Sequence, residues 1–306
     1  MKRRSTGSEG QYLGACPVGH PGYMCLILVG WRAHPEYRLI VAANRDEFYT
    51  RPTESMRVWP EVPGLLAGRD LGARNAVPST WLGLMRPQHR FAAVTNVRGP
   101  AEGRIDARSR GALLMDYLRG EVGPEKFVRG VAAAADDYNG YNLVVSDLET
   151  LWWHSNRSAH TPHELVPGLH GLSNGALLGS AAAGPDGIPA VVHTDNGAAA
   201  WPKVRDGLTA LHAAIDANPG DPAGYFDVLA DRTTAPDDEL PHTGLPHRRE
   251  RAVSARFVAD TMHGTRCSTV LLVREDGAYT VAERSFGRRG HPQGEVSFTG
   301  SLKLPT

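Results

Sequence analysis

Cysteine is scarce in this chain. Only Cys16, Cys25 and Cys267 occur among its 306 residues, and no two of them stand in a CxxC or CxxCH spacing. An odd count without these spacings argues against a disulfide framework, a zinc site built on paired cysteines and covalent attachment of haem. We therefore expect no metal site, and a cytoplasmic protein whose thiols stay reduced.

Excess charge and long apolar runs are lacking as well. Lys+Arg and Asp+Glu number 33 each, so no net positive field favours nucleic acid. No apolar run approaches the roughly 20 residues that span a bilayer, and no apolar segment follows the basic start to make a signal peptide. GxGxxG and P-loop motifs are missing too. The expected partner is a small molecule, without nucleic acid or a membrane span, and the oligomeric state stays open.

Residues 1–23 contain much Gly, Ser and charge and little apolar surface, a composition typical of disorder. Two explanations stay open for this segment: a disordered leader, or a start codon assigned too early. The second is favoured because Met24 stands directly before the first strand-like run. We expect residues 24–306 to form a single domain.

The order of the periodic segments predicts an α+β fold. Strand-like runs come first, then two helices, more strands, a second helical pair and strands again. This order favours antiparallel sheets covered by helices over alternating βαβ units. The predicted helices are 110–119, 124–135, 198–217 and 222–231. The predicted strands are 25–31, 38–43, 65–68, 80–85, 91–96, 141–147, 151–154, 168–174, 252–258, 267–273 and 279–285.

The first two strands enclose a polar sequence beside a cysteine. One apolar run begins at Cys25, and the next ends in Asn44, Arg45, Asp46 and Glu47. A hairpin turning near residues 34–35 places Cys25 opposite Asn44. We therefore expect the polar cluster to lie next to the thiol.

A cysteine that begins a mature chain has its own general base. An α-amine with a pKa near ~8 can take the thiol proton at neutral pH. In this interpretation Arg45 lowers the thiol pKa, Asp46 hydrogen-bonds the amine, and Asn44 positions the group. The alternative is that Cys25 is a small buried apolar residue and the polar sequence is merely a strand end.

Three other strand ends carry groups suited to the same chemistry. Asn96 and Asn174 end apolar runs, and their amides would donate to a developing oxyanion. Arg266 opens a strand and would bind a carboxylate or stabilise the site. The alternative is that the asparagines are turn residues and the arginine is a solvated charge.

A resemblance brings these segments together. The chain resembles the NRDE family, also called the transport and Golgi organization protein 2 family, from Met24 to about Phe298. The matching segments are Met24-Cys25, Asn44-Arg45-Asp46-Glu47-Phe48, Arg51-Pro52, Thr80-Trp81-Leu82-Gly83, Thr95-Asn96, Ser109-Arg110-Gly111, Tyr138-Asn139-Gly140-Tyr141-Asn142, Leu172-Ser173-Asn174, Thr265-Arg266 and Glu283-Arg284-Ser285.

The resemblance implies a fold like that of N-terminal nucleophile hydrolases, a four-layer αββα sandwich. It also implies a distant similarity to penicillin V acylases and bile salt hydrolases. The order Asn44-Arg45-Asp46 departs from the Arg-Asn-x-Asp of those hydrolases. The residues that correspond to the catalytic positions of those hydrolases are Cys25, Arg45, Asp46, Asn96, Asn174 and Arg266.

For function, the resemblance implies haem trafficking or the metabolism of acyl-CoA and lipids. The leading hypothesis is a hydrolase-like cleft that binds a small amphipathic ligand; the alternative is an N-terminal-cysteine amidohydrolase that cleaves an amide or thioester. No cofactor is required by either, and haem enters only as a carried ligand, with no axial ligand nameable among 13 histidines. The predicted ligand-binding residues are Asn44, Arg45, Asp46, Glu47 and Arg51, with Arg98, Arg108 and Arg110 as further cations.

Two other groups of residues have simpler expected roles. Trp81, Trp152 and Trp153 lie in strand-like runs and are expected in the core or a pocket wall. The acidic segment 237–239 and its neighbouring histidines match no metal-ligand spacing, so we expect a flexible loop there.

Overall fold

Antiparallel strands dominate the computed structural model, which describes residues 25–72, 78–98, 102–175, 178–181, 193–194 and 201–304. The predicted leader over 1–23 and Cys16 lie outside the described residues. The strands in chain order are β1 Cys25–His34, β2 Tyr37–Phe48, β3 Thr53–Val58, β4 Leu65–Asp70, β5 Leu82–Met85, β6 Arg90–Asn96, β7 Tyr141–Ser146, β8 Leu151–Ser155, β9 His163–Glu164, β10 Gly168–Leu172, β11 Leu178–Ala181, β12 His193–Thr194, β13 His263–Arg274, β14 Ala278–Phe286 and β15 Pro292–Ser301.

Helices occupy two stretches of the chain between strands, one after β6 and one after β12. They are α1 Arg110–Arg119, α2 Pro124–Ala133, α3 Pro202–Ala217, α4 Pro222–Leu229 and α5 His247–Ala252. Proline at the first helical position begins α2, α3 and α4, where its missing N–H is not needed. None of the helices in the described part of the chain is both long and apolar enough to cross a membrane.

The described strands form two antiparallel sheets, which confirms the predicted α+β class. The eight-stranded sheet has the order β12-β11-β10-β1-β2-β13-β14-β15. The seven-stranded sheet follows chain order from β3 to β9. One apolar core lies between the sheets, a second between the eight-stranded sheet and α3 and α4, and a third between the seven-stranded sheet and α1 and α2.

Strand β1 shows why the central strands are continuous apolar runs. Ile27 and Val29 pack between the sheets, whereas Leu26 and Leu28 pack on the side of α3 and α4. Successive side chains of a strand point to opposite faces, and here both faces are covered. A strand that is buried on both faces has apolar residues at successive positions, without the alternation of apolar and polar residues that a half-buried strand shows.

The predicted register of the first hairpin is wrong by one residue. Cys25 lies opposite Arg45, and Leu26 lies opposite Asn44. The turn is at 35–36, and the pairing is irregular between Trp31 and His34, where Arg32 has φ +46°. A slip of one position moves every side chain to the other face of a strand.

The strand predicted over 252–258 is also wrong. Its first residue ends α5, and 253–258 contain no strand. Val253, Ala255, Phe257 and Val258 are nevertheless buried. These residues are apolar because they are buried, although they pair with no strand. Their sequence pattern therefore resembles that of a strand.

The predicted core role of the tryptophans is confirmed. Trp153 lies in the core between the sheets, and Trp152 lies in the core beneath α1 and α2. Trp81 packs partly buried against both cores.

Candidate functional site

Side chains that follow β10 fix the backbone of Cys25. The Oδ1 atom of Asn174 accepts a hydrogen bond from the Cys25 nitrogen at 3.0 Å, and the Ser173 hydroxyl donates to the Cys25 carbonyl at 2.9 Å. Asn174 Nδ2 donates to the backbone carbonyl of Asn96 at 2.7 Å. Three predicted residues therefore meet, but Asn174 rather than Asp46 holds the nitrogen, and Asn96 contributes its carbonyl.

The thiol of Cys25 is protonated in this environment. Burial raises its pKa to about 12, and the carboxylate of Asp46 acts in the same direction. Arg45 lowers the thiol pKa as predicted, but burial outweighs it. Cys267, half-buried beside Glu283, also has a pKa raised well above its ordinary value, mainly by loss of solvent around the thiol.

Alkylation should therefore be slow at both cysteines in the full-length folded chain. A pKa raised by about three units leaves about a thousandfold less thiolate at neutral pH. We expect iodoacetamide to label Cys25 and Cys267 only after denaturation, as read from peptide masses. Labelling of Cys25 in the folded chain as fast as in urea would contradict the described burial.

Alternation along β2 sends the polar sequence 44–47 to two different faces. Asn44 Nδ2 donates to the carbonyls of Leu229 and Arg256 on the side of α4, at 2.9 and 2.7 Å. Arg45 instead pairs with Asp70 of the seven-stranded sheet. The sequence is therefore not one cluster: Asn44 and Asp46 face the helices, while Arg45 and Glu47 face the other sheet.

On the side between the sheets, two arginines are neutralised by two carboxylates. Arg45 Nη2 lies 2.9 Å from Asp70 Oδ2 and 3.2 Å from Glu47 Oε2. Arg51 Nε lies 2.9 Å from the same Asp70 oxygen and 3.4 Å from Glu47. Both predicted anion-binding cations are thus engaged within the protein.

A cavity of about 70 Å³ opens beside this ion-pair group, with Arg45, Cys267 and Glu283 in its wall. Pockets for cofactor-sized ligands usually measure about 300–1,000 Å³. The cavity as described is therefore too small for haem or for a whole acyl-CoA.

Arg266, the last of the predicted catalytic residues, supports a turn. Its guanidinium donates to the carbonyls of Phe48 and Arg51 at 2.9 and 3.1 Å and to the Thr53 hydroxyl at 3.0 Å. These contacts fix the segment between β2 and β3. The structure therefore places Arg266 with Arg45 and Glu47 rather than at the Cys25 nitrogen.

The other predicted cations lie apart from Cys25 or are already bound. Arg108 is half exposed and lies 3.8 Å from Asp116 and 3.7 Å from Asp137. Arg110 donates to the Gly140 carbonyl at 2.9 Å. Of these three residues, Arg98 is connected to Cys25 through Asn174, because its backbone N–H donates to the Asn174 carbonyl at 2.8 Å.

A buried charge cluster, formed by Asp46, Arg98, Lys203 and Glu250, lies on the helix side of Cys25. Each residue is at most 9% exposed. Arg98 Nη1 lies 2.9 Å from Glu250 Oε1, and Lys203 Nζ donates to the carbonyl of Val253 at 3.5 Å. Four ionisable groups thus share one buried site.

Burial shifts the pKa values of three members of this cluster, and one of these shifts is a lowering of the pKa of Arg98. Burial raises the pKa of Asp46 to about 7, although Lys203 and a hydrogen bond from Thr265 oppose the shift. It lowers the pKa of Lys203 to about 8 against the attraction of Asp46. Perturbed ionisable groups beside a cysteine are a common feature of functional sites.

Comparison with known proteins identifies the family. A family model described as Transport and Golgi organisation 2 matches residues 24–288. The chain belongs to this family. The Transport and Golgi organization protein 2 homolog of Bos taurus is 32% identical over 281 residues, covering 86% of this chain and 93% of that protein. The Homo sapiens homolog is 31% identical over the same shares of the two chains, and the Drosophila melanogaster protein is 34% identical over 31% of this chain and 35% of its own.

The Transport and Golgi organisation 2 match includes Cys25, the sequence 44–47 and the whole buried charge cluster. Two cluster members, Lys203 and Glu250, were missed by prediction from the sequence. Lys203 lies in the first turn of α3, where the helix dipole disfavours a cation. A lysine in the first turn of a predicted helix was therefore the sequence signal that could have identified Lys203.

Proposed function

We propose that this family member acts on small acyl compounds with Cys25 as the nucleophile. The observation that carries the proposal is the double anchoring of Cys25, whose nitrogen and carbonyl are both held by side chains after β10. A reacting group must be held close to its productive geometry. A backbone nitrogen held by an amide oxygen is also placed to serve as a base once it is a free amine.

The packing of the layers supports the same proposal. Helices α1 and α2, the seven-stranded sheet, the eight-stranded sheet, and α3 and α4 pack in that sequence. We infer that this is the αββα arrangement of N-terminal nucleophile hydrolases. In that arrangement the nucleophile begins a central strand, as Cys25 begins β1.

The reaction requires Cys25 to be the first residue. Its α-amine, with an ordinary pKa near ~8, takes the thiol proton, and the thiolate adds to the carbonyl carbon of an amide or thioester. The tetrahedral adduct expels the amine or thiol leaving group, which receives the proton from the ammonium. Water, deprotonated by the amine, then hydrolyses the acyl-cysteine and restores the thiol.

Removing the anchor should slow acylation. In a chain that starts at Cys25, Asn174→Ala is expected to reduce the rate of acylation by about 100-fold, because the amine loses its fixed position. Stopped-flow measurement with a thioester probe gives this rate. The matched control is Asn218→Ala, an exposed position at the end of α3; equal rates for the two variants would remove Asn174 from the mechanism.

A second candidate function is non-covalent handling of an amphipathic ligand, such as acyl-CoA or haem, only part of which would enter the described cavity. The observation that favours it is that the Cys25 thiol of the full-length chain is buried and protonated. The full-length chain would therefore bind a ligand without forming a covalent bond to it. Acyl-CoA suits this site better than haem, because a thiol must lose its proton to ligate iron. The test is titration of the full-length chain with each ligand; absence of saturable binding by both would reject this candidate.

A further inference from the structure

One edge of the Arg98 guanidinium has donors without acceptors in the described part of the chain. Its Nη1 atom donates to Glu250 Oε1 at 2.9 Å and to the Thr243 hydroxyl at 2.8 Å. Its Nε and Nη2 atoms have no hydrogen-bond partner among the described residues, although the side chain is only 2% exposed. Buried charged donors are normally paired, because leaving them unpaired costs free energy.

The two unpartnered atoms form a specific recognition surface. The N–H bonds of Nε and Nη2 run parallel along one side of the guanidinium plane and match the two oxygens of a carboxylate. The opposite side is occupied by Glu250, which fixes the orientation of the plane. Trp201 adds a ring contact, with its centroid 5.8 Å from the central carbon of Arg98.

The groups next to Arg98 favour an anion that also carries a hydrogen-bond donor. Lys203 supplies a second buried cation, whose recorded hydrogen bond is a single long one to Val253. The Oδ2 atom of Asp46 is buried without a donor among the described residues. A carboxylate with an adjacent N–H would satisfy both Arg98 and Asp46.

Arg98 is connected to the proposed nucleophile through Asn174. The backbone N–H of Arg98 donates to the carbonyl of Asn174, and the side chain of Asn174 holds the Cys25 nitrogen. Asp46 acts electrostatically on the Cys25 thiol and on Arg98. An anion bound at Arg98 would therefore be connected to Cys25 through Asn174.

We propose that Arg98, assisted by Lys203, binds a carboxylate of the acyl compound, so that the substrates are carboxylate-bearing acyl compounds of the N-acyl amino acid type. This inference rests on the proposed function, since it names the substrate class of the same site. A carboxylate suits the cluster better than a phosphate, which brings nearly two negative charges against Asp46 and Glu250.

Calorimetry with two probes of equal shape tests the proposal. The full-length chain with Cys25→Ala is titrated with N-octanoylglycine and with N-octanoylglycinamide, whose carboxylate is replaced by a neutral amide. We expect the acid to bind about 10- to 100-fold more tightly, as charge-assisted hydrogen bonds predict. Equal affinities, or no binding of the acid at millimolar concentration, would overturn the proposal.

Variants of Arg98 test whether this residue causes the preference for the acid over the amide. Arg98→Lys keeps a positive charge beside Glu250 but lacks the parallel donors, so the preference should fall below about threefold. Arg98→Gln combined with Glu250→Gln removes the pair without leaving a buried charge and should do the same. Arg108→Lys, at a half-exposed position, is the matched control and should keep the preference. A preference that survives both Arg98 variants would refute the assignment.

The outcome is separable from that of the proposed function. Calorimetry on Cys25→Ala registers binding without acyl transfer. A chain that is never acylated at Cys25 can still prefer the acid, and a chain that is acylated can still lack the preference.

Discussion

Replacing Arg45 by methionine is expected to lower the free energy of unfolding by about 3–5 kcal/mol, because it leaves two carboxylates without their buried partner. The Arg45 side chain is 8% exposed, and that of Glu47 is 5% exposed. Chemical denaturation of the two proteins measures the difference. The loss of stability should be large because burial already raises the pKa of Glu47, and Arg45 is the group that opposes this shift most strongly.

Two further variants show whether burial is the cause. Arg57→Met removes a cation that is 48% exposed and lies 3.4 Å from Glu54, so it should cost about 0–1 kcal/mol. Adding Glu47→Gln to Arg45→Met should recover part of the loss, because it removes an uncompensated charge. A cost for Arg45→Met no greater than that for Arg57→Met would show that the ion-pair group is solvated.

Acylation should depend strongly on where the chain begins. A chain that starts at Cys25 is expected to react with a thioester probe about 10²–10⁴-fold faster than the chain of 306 residues. In the longer chain the Cys25 nitrogen is an amide and cannot accept a proton, while the buried thiol has a pKa of about 12. The two rate constants are measured side by side at neutral pH.

A matched pair of chains separates the amine from other effects of shortening. A chain with one alanine placed before Cys25 has nearly the same size but an amide at the critical nitrogen. It should react as slowly as the full-length chain. Equal rates for the chains with and without the added alanine would exclude the α-amine as the base.

Three of the residues predicted from strand ends in the sequence lie together in the structure. Cys25, Asn96 and Asn174 lie at the ends of three strands, and the structure joins them by hydrogen bonds. The roles differ from those predicted, because the choice between amide and carbonyl depends on side-chain rotamers. A sequence pattern places a residue at a strand end but does not orient it.

The parts that prediction missed depend on tertiary packing. The irregular pairing between Trp31 and His34 changed the register by one residue, and no residue type marks that position reliably. Strands β3 and β15 are edge strands with few buried positions, so their apolar pattern is weak. Lys203 and Glu250 come from separate helices and meet only when the sheets and helices are assembled.

The intact mass of a chain that starts at Cys25, recorded after exposure to an acyl thioester, tests the central claim most directly. We expect one added acyl group on the wild type, located at Cys25 by peptide mapping, and none on Cys25→Ala. Equal acylation of the wild type and Cys25→Ala, or no acylation of the wild type, would contradict the assignment of Cys25 as the nucleophile.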